Sequence, residues 1–316
     1  MKKRGTGYAC MFYGTGYGNG FPDESRADVK LCSDGTFELH AAAAEVGQGA
    51  KSVMLQIACE ALQTGPSNIS VINNNTLNLK DSGTAAASRQ TYNTGNAVKI
   101  ACEKLKQNII SAVSDYNGEN DELKNAYKIM LDKNIPIEEI GYFKASTSAV
   151  NMEDGQGEPY WPYTFAVQKA AVEVDDETGK VDVLDITVCQ DVGRAVNPSL
   201  VEGQIEGGCA MGIGYGIMEK VEFDRGNIKN KNFSDYIIPT SMDVPQIKVY
   251  LIEEEEKSGP YGAKGVGEPS MIPTAPAVLN AIYDAVGVRI TDLPATEEKI
   301  IEGLKENRER REKRED

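Results

Sequence analysis

The sequence predicts an α+β protein of two similar subdomains, each a small mixed sheet covered by helices. Two observations carry this prediction. A strand–turn–strand pattern occurs in residues 29–39 and again in residues 164–190, and each is followed by a glycine-flanked glutamine and a helical stretch. The glutamine motifs are "GQG" at 47–49 and "GQIEGG" at 203–208. Paired sheet-and-helix units favour α+β architecture over a doubly wound parallel sheet.

In the first unit, Val29 and Leu31 alternate with polar residues before a Ser-Asp-Gly turn, and Phe37 and Leu39 alternate after it. This pattern predicts a hairpin. The stretch "KSVMLQIACEALQ" has apolar residues at helical spacing, "ISVIN" is typical of a short strand, and "NAVKIACEKLKQNIISAV" predicts a second helix.

The later elements complete four predicted segments. We expect a first subdomain at 1–120 and a connector at 121–150, with a helix in "DELKNAYKIMLDK" and an extended "NIPIEEIGYFKAS". The second subdomain covers 151–300, with a Glu-Thr-Gly hairpin, a helix beginning after a glycine-flanked glutamine, and a Gly-rich loop around Glu268. The charged tail at 301–316 predicts a solvated or frayed helical end.

Composition narrows the function classes. The 316 residues carry a net charge of −15, which disfavours nucleic acid as a partner. No apolar run reaches the ~20 residues of a membrane span and no signal peptide is apparent, so we expect a cytoplasmic protein without membrane contact. The six cysteines are far apart and there is a single histidine, so we expect no metal ion held directly by side chains.

Three loops combine small residues with amides or hydroxyls at a helix start: Gly47-Gln48-Gly49, the loop from Ser82 to Thr91, and Gly203-Gln204. Glycine allows a ligand to approach the backbone, and the N–H groups at a helix N-terminus favour an anion. These loops therefore suit a large polar ligand with phosphates. The alternative is that each glycine forms a turn and each glutamine caps a helix.

Glu268 lies in "GAKGVGEP", between Gly267 and Pro269, just before a predicted helix. It is either a solvated turn residue or a carboxylate held in a desolvated loop as a general base. Near the other end of the chain, Tyr13 belongs to an aromatic and glycine-rich stretch. That stretch either walls a flat substrate or packs its own loop.

Four ordered motifs carry a resemblance: "EVGQG", "TAAASRQTYNTGNAV", "CQDVGRAVNPSLVEGQIEGG" and "GAKGVGEP". They resemble the C-terminal half of the molybdopterin-binding subunit of the xanthine dehydrogenase/aldehyde oxidase family, over residues 1 to about 300. The resemblance implies that family's molybdopterin-binding fold. It also implies a molybdenum–molybdopterin cofactor, in its cytosine dinucleotide form.

The resemblance implies a molybdenum hydroxylase in which Glu268 is the catalytic base for a water-derived oxygen. The same motifs imply cofactor contacts from Gly47, Gln48, Gly49, Ala86, Ala87, Ser88, Gln204, Gly265 and Gly267. Tyr13 is carried over as a substrate-contacting residue.

One departure from the family concerns length. The family's subunit is more than twice as long, and its first half holds most substrate-selecting residues. The chain resembles the family's nicotinate dehydrogenase branch, in which the large subunit is divided. The expected partners are therefore a large molybdopterin subunit that carries the N-terminal half, an iron–sulfur subunit with 2Fe-2S clusters and an FAD subunit.

The expected substrate is an N-heteroaromatic molecule of purine or nicotinate type. The alternatives are a relative that oxidises aldehydes or carbon monoxide, and a non-catalytic scaffold for cofactor binding or assembly.

Overall fold

The computed structural model describes residues 1–18, 21–113 and 116–315. Its strands are β1 (Lys2–Gly14), β2 (Glu24–Leu31), β3 (Phe37–His40), β4 (Ile69–Ile72), β5 (Glu138–Lys144), β6 (Tyr163–Asp175), β7 (Val181–Asp191), β8 (Phe223–Asp224), β9 (Asn227–Ile228) and β10 (Ile247–Ile252). Its helices are α1 (Ala50–Leu62), α2 (Gly95–Ala112), α3 (Asn120–Asp132), α4 (Pro198–Ile217), α5 (Thr274–Val286) and α6 (Glu297–Glu315).

The first unit is a mixed sheet in the order β4-β3-β2-β5, covered by α1 and α2. The predicted hairpin is present, since β2 and β3 pair antiparallel with Leu31 opposite Phe37. Strand β4 returns parallel to β3 after α1. Leu31, Phe37 and Leu39 are fully buried, so the alternating residues of the hairpin form the floor of the first core.

The second unit is a mixed sheet in the order β1-β6-β7-β10, with α4 and α5 on one face. Its hairpin β6–β7 matches the prediction. Helix α5 crosses β1 closely at Gly5 and Gly7, where an added Cβ would lie 2.3 Å and 2.2 Å from the backbone of α5. These two glycines therefore set the distance between helix and sheet.

Segments of the chain pass from one unit to the other more often than the predicted segment boundaries indicate. Strand β1 lies in the predicted first subdomain but pairs along its whole length with β6 of the second sheet. Strand β5 and helix α3 lie in the predicted connector, yet β5 pairs with β2 and α3 packs on α2. The two α+β units are thus built from interleaved segments, because strand partners depend on long-range contacts that local pattern does not carry.

Helix α4 begins earlier than expected. Asn197 caps it by accepting a hydrogen bond from the Leu200 N–H at 3.1 Å, and Pro198 occupies its first position. Both features start a helix strongly. The prediction that this helix begins after the glycine-flanked glutamine was therefore wrong, and Gln204 lies inside α4.

The first half of the last helix packs into the second core, and the described residues after it are mostly exposed to solvent. Helix α6 starts at Glu297 and buries Ile300 and Leu304 ahead of its charged end. Among the helices of the described residues, none combines the length and apolar character that a membrane crossing requires.

Candidate active site

The candidate site is built around the Glu268 carboxylate, where three parts of the chain meet. Its Oε1 accepts a hydrogen bond from the Ala87 N–H at 3.0 Å. Its Oε2 accepts from the Ser88 hydroxyl at 2.9 Å and from the Tyr13 hydroxyl. The Ser88 hydroxyl in turn accepts from the Glu268 N–H at 3.0 Å. The structure thus brings the predicted base together with two predicted cofactor residues and the predicted substrate residue.

Glu268 is nevertheless exposed in this chain, so the desolvated loop predicted for it is not formed by these residues alone. Among the described residues, Oε1 accepts from Ala87 only. A carboxylate has about four acceptor positions, so capacity remains for a proton donor such as water or substrate. The fixed carboxylate has the geometry of a general base that still needs a surface to exclude water.

Tyr13 is half-buried beside Glu268. Burial, and then the hydrogen bond to the carboxylate, raise the pKa of the Tyr13 hydroxyl above its usual value. The phenol therefore keeps its proton at neutral pH and remains a donor to Glu268.

The loop that supplies Ala87 and Ser88 has an unusual backbone. Ala87 and Ser88 have φ of 55° and 52°, in the left-handed region that L residues rarely adopt. Such conformations cost of order 1–3 kcal/mol each and persist where surrounding structure enforces them. Here the enforcement includes Gly265, where an added Cβ would lie 1.7 Å from the Ser88 carbonyl oxygen. Gly265 thus permits the contact between the two loops.

Arg89 holds the loop of Ala87 and Ser88 in place from the protein interior. It is fully buried, and its Nε lies 2.6 Å from the carboxylate of Asp23, which is also buried. Its remaining N–H groups donate to the carbonyl oxygens of Ser82 at 2.7 Å and Glu24 at 2.6 Å. A buried charge is tolerated only when paired and hydrogen-bonded in this way.

The sequence reasoning missed Arg89 and its partner Asp23. A signal was present, because Arg89 is the only charged residue in the run "SGTAAASRQTYNTG". A single charged residue in a run of small and polar residues is typical of a buried ion pair.

A second buried ion pair holds the loop of Glu268. Lys264 Nζ lies 2.6 Å from the Asp191 carboxylate at the end of β7, and both side chains are about nine-tenths buried. Farther along, the Ser270 carbonyl accepts from Gln168 at 2.7 Å. The loop is therefore tied to the second sheet on both sides of Glu268.

The Gly47–Gly49 loop differs from its expected role. The N–H groups of Gly47, Gly49 and Lys51 donate to the Glu45 carboxylate at 2.9, 3.0 and 2.9 Å. Glu45 therefore occupies the N-terminus of α1 that was predicted to receive an anionic ligand. The sequence reasoning missed Glu45, although an acid before a helix start is a known signal.

Gln48 also bonds within its own loop. Its side chain accepts from the Val46 N–H at 2.7 Å and donates to the Ala44 carbonyl at 2.7 Å. It still lines a cleft of about 60 Å³ with Gln204 and with Val266 of the Glu268 loop. The structure thus brings the two predicted glutamines to one cleft beside the base loop.

A larger cavity of about 750 Å³ adjoins this cleft, with which it shares Arg194, Ala195 and Val196, and extends between α1 and the segment around Asn117. Glu268, Gln48 and Gln204 do not line it. We place the candidate site at Glu268 because chemistry, and not cavity size, converges there. Across the described ranges, no group of three or more His, Cys, Asp or Glu side chains is arranged to hold a metal ion.

The family model of the molybdopterin cofactor-binding domain matches residues 1–245. The chain belongs to the xanthine dehydrogenase/aldehyde oxidase family. It is 32% identical to a protein of Bacillus subtilis (strain 168) described as a probable subunit of xanthine dehydrogenase, over 96% of this chain and 42% of that protein.

Solved structures of family members have the same fold as this chain over the matched region. The aldehyde oxidoreductase from Desulfovibrio gigas superimposes with a TM-score of 0.85 at 34% identity, over 96% of this chain and 33% of that one. The quinoline 2-oxidoreductase from Pseudomonas putida 86 gives 0.82 at 26% identity, over 96% and 42%. The chain therefore spans less than half the length of these family members.

As a member of the xanthine dehydrogenase/aldehyde oxidase family, this chain carries a molybdopterin cofactor-binding domain. Its site suits such a group in one physical respect. An added Cβ at Gly47 or Gly203 would meet nothing within 4 Å, so a ligand can approach the backbone next to each of the two glutamines. The cleft of about 60 Å³ is too small to enclose a pterin, so the neutral amides of Gln48 and Gln204 offer such a group an open polar edge and not a closed pocket.

Proposed function

We propose that this chain is the base-bearing subunit of a split-subunit molybdenum hydroxylase. The net reaction adds the oxygen of water to a C–H carbon, giving C–OH, two protons and two electrons. The observation that carries the proposal is the Glu268 carboxylate, fixed by Tyr13, Ala87 and Ser88 with acceptor capacity left at Oε1.

Glu268 is the proton acceptor in this proposal. A base held within hydrogen-bond reach of the proton it removes contributes about 10²- to 10⁴-fold to rate. The Tyr13 and Ser88 hydroxyls and the Ala87 N–H orient the carboxylate, and Tyr13 also contacts substrate. A scaffold without turnover has no need for a carboxylate held by three donors, which disfavours a purely assembling role.

The molybdenum–molybdopterin cofactor supplies the redox centre that takes two electrons from the substrate carbon. The residues proposed to hold it are Gly47, Gln48, Gly49, Ala86, Ala87, Ser88, Gln204, Gly265 and Gly267. They offer accessible backbone and neutral side chains, and Glu45 already neutralises the N-terminus of α1. We assign the cytosine dinucleotide form of the cofactor from the family resemblance of the motifs.

The proposed assembly includes a large molybdopterin subunit with the N-terminal half of the family's molybdenum-binding region. Electrons pass to iron–sulfur and FAD subunits, and the complex is cytoplasmic. The exposure of Glu268 supports this division, because water around the base must be excluded by a surface that the chain does not supply.

For substrate we propose an N-heteroaromatic molecule of purine or nicotinate type, in line with the resemblance to the nicotinate dehydrogenase branch. Aldehyde oxidation is the second candidate, favoured by the 34% identity to the Desulfovibrio gigas aldehyde oxidoreductase. A panel of hypoxanthine, nicotinate, quinoline and benzaldehyde assayed with the purified complex separates the two.

The decisive experiment replaces Glu268 with Gln in the complex. The amide keeps the size of the side chain but cannot take a proton, so kcat falls by several orders of magnitude, beyond the about 10²-fold lower limit for a general base. Molybdenum content, measured by elemental mass spectrometry, and subunit composition stay unchanged. Retained turnover in the Glu268→Gln complex contradicts the base assignment.

A further inference from the structure

The outer face of the β1-β6-β7-β10 sheet, opposite α4 and α5, is divided into two different halves. At one end, charged side chains satisfy each other: Glu173 bonds Lys2 at 2.7 Å and Arg4 at 3.0 Å, and Lys248 bonds Asp185 at 2.8 Å. This end follows the usual pattern of a sheet face in contact with water.

The other end of the same face is apolar and exposed. Strand register places Cys10, Val167, Cys189 and Tyr250 in one row across all four strands of the sheet. The next row includes Phe12 opposite Phe165, with ring centroids 5.1 Å apart, and Ile252. The large side chains of these rows are 44–65% exposed: Phe12, Phe165, Val167, Tyr250 and Ile252. We name these residues, with Cys10 and Cys189, the apolar sheet patch.

A contiguous patch of this kind marks an interaction surface, whereas single exposed apolar residues need no explanation. The neighbouring charged end shows that this sheet face accommodates polar residues. The strand geometry therefore does not require apolar side chains at the other end of this face.

The position of the patch indicates its occupant. It lies at the same end of the sheet as the candidate site, since Phe12 on the patch directly precedes Tyr13, which bonds Glu268. The side chains of Phe12 and Tyr13 leave β1 on opposite faces, so a polypeptide that covers both the base and the patch wraps around this end of the sheet. Family members carry more than half of their length outside the region that this chain matches, which spans 42% of the Bacillus subtilis relative and 33% of the Desulfovibrio gigas structure.

We infer that the apolar sheet patch is the docking surface for the partner polypeptide that carries the remaining part of the family's molybdenum-binding region. This inference rests on the proposed split-subunit function and adds the surface by which the partner attaches.

Two cysteines within the patch provide a test that needs no substitution. Cys10 and Cys189 are exposed in this chain, whereas Cys32 lies in the β2–β3 turn of the other unit. Iodoacetamide labelling, followed by mass spectrometry, is compared between the isolated chain and the complex with its partner. We expect iodoacetamide to label Cys10 and Cys189 at least about tenfold more slowly in the complex, because the reagent then reaches them only after local opening of the interface. The reactivity of Cys32 stays the same.

A matched pair of variants measures the contribution to association. Tyr250→Ser removes a side chain of the patch that is 56% exposed, and Leu131→Ser removes one on α3 that is 52% exposed. The first weakens partner binding by about tenfold or more, as expected for an aromatic residue that becomes buried in an interface. The second leaves the dissociation constant unchanged.

The outcomes separate the two levels of the proposal. A complex that hydroxylates substrate while Cys10 and Cys189 stay fully reactive overturns the docking surface and leaves the proposed function standing. A hydroxylase without any partner of this kind overturns both. Protection of both thiols in the isolated chain, with a dimer mass by light scattering, assigns the patch to a second copy and overturns the inference.

Discussion

Replacing Gly265 with Ala tests whether close contact between two loops holds the Glu268 site. An added Cβ would lie 1.7 Å from the Ser88 carbonyl oxygen, which is backbone and cannot rotate away. The loops must separate by about 1.7 Å to restore an ordinary contact of 3.4 Å. That movement takes the Ser88–Glu268 hydrogen bonds, now 2.9 and 3.0 Å, beyond bonding range.

The expected cost follows from either way of relieving the clash. A retained clash costs about 1–3 kcal/mol, as in other overpacked sites. If the loops separate instead, two bonds are lost: the Ser88 hydroxyl bond to the charged carboxylate, at about 1.5–3 kcal/mol before the exposure of Glu268 is considered, and the neutral bond from the Glu268 N–H, at about 0.5–1.5 kcal/mol. We therefore expect the free energy of unfolding to fall by about 1–3 kcal/mol. Urea denaturation of the chain measures this directly, and kcat of the complex falls by about 10²-fold when the base is displaced by about 1 Å.

Gly267→Ala is the matched control in the same loop. Its Cβ would lie 3.5 Å from the Ser88 hydroxyl, an ordinary contact, and its backbone φ of −62° suits alanine. We expect its stability to stay within about 0.5 kcal/mol of the wild type. Equal stability of the Gly265→Ala and Gly267→Ala chains refutes the close-contact argument.

Three further changes have defined outcomes. Arg89→Met leaves the Asp23 carboxylate buried without its counter-charge, although the Asn93 amide still donates to it, so the free energy of unfolding falls by about 3–5 kcal/mol in urea denaturation. Burial raises the pKa of Glu45, but N–H donors of the α1 N-terminus outweigh it, and the folded value lies below the ordinary 4.5. Its stabilisation is therefore present above pH 4.5 and is lost as pH falls through the folded pKa; Glu45→Gln removes this part of the acid dependence of unfolding. Tyr13→Phe removes one hydrogen bond to a charged group, so kcat/KM falls by about tenfold to a hundredfold, less than in Glu268→Gln.

Each of these changes has a control in the same chain. Arg310→Met breaks an exposed pair with Glu306 at 3.3 Å and changes stability by less than about 1 kcal/mol. Asp154→Asn alters an exposed loop carboxylate and leaves the acid-side slope attributed to Glu45 unchanged. Tyr8→Phe, on the same strand as Tyr13 but 60% exposed, leaves kcat/KM unchanged. Equal effects of control and test variants contradict the corresponding argument.

Local sequence pattern predicted the elements of the fold better than their partners. The alternation in β2 and β3 and the apolar spacing of α1 appear in the structure because each is a local property of burial on one face. Strand β1 has no such signal, since Gly5 and Gly7 face α5 where apolar side chains are expected, and Phe12 faces outwards. Its pairing with β6, and that of β5 with β2, depend on residues more than 100 positions away.

The residues of the site that belong to loop motifs could be predicted from the sequence. The buried residues that hold those loops in place could not. Glu268, Ala87 and Ser88 were identified from motifs and meet in the structure. The buried pairs formed by Arg89 and Lys264 were not, because each joins residues that are distant in sequence. Glu45 was missed for another reason, since an anionic ligand and an anionic side chain satisfy the same helix N-terminus.

The distribution of burial around Glu268 explains why the supports matter. Arg89 and Lys264 hold their charges inside the protein, and each pair ties one loop of the site to a different sheet. Charges placed there keep the loops from relaxing when a ligand enters, because breaking either pair leaves a buried carboxylate without its counter-charge. The base itself stays exposed, and a base in water is a weak catalyst because solvent competes for its lone pairs. A rigid support beneath an open carboxylate is thus the arrangement expected of the proposed split site, in which this chain sets the geometry of Glu268 and a docked partner would exclude water.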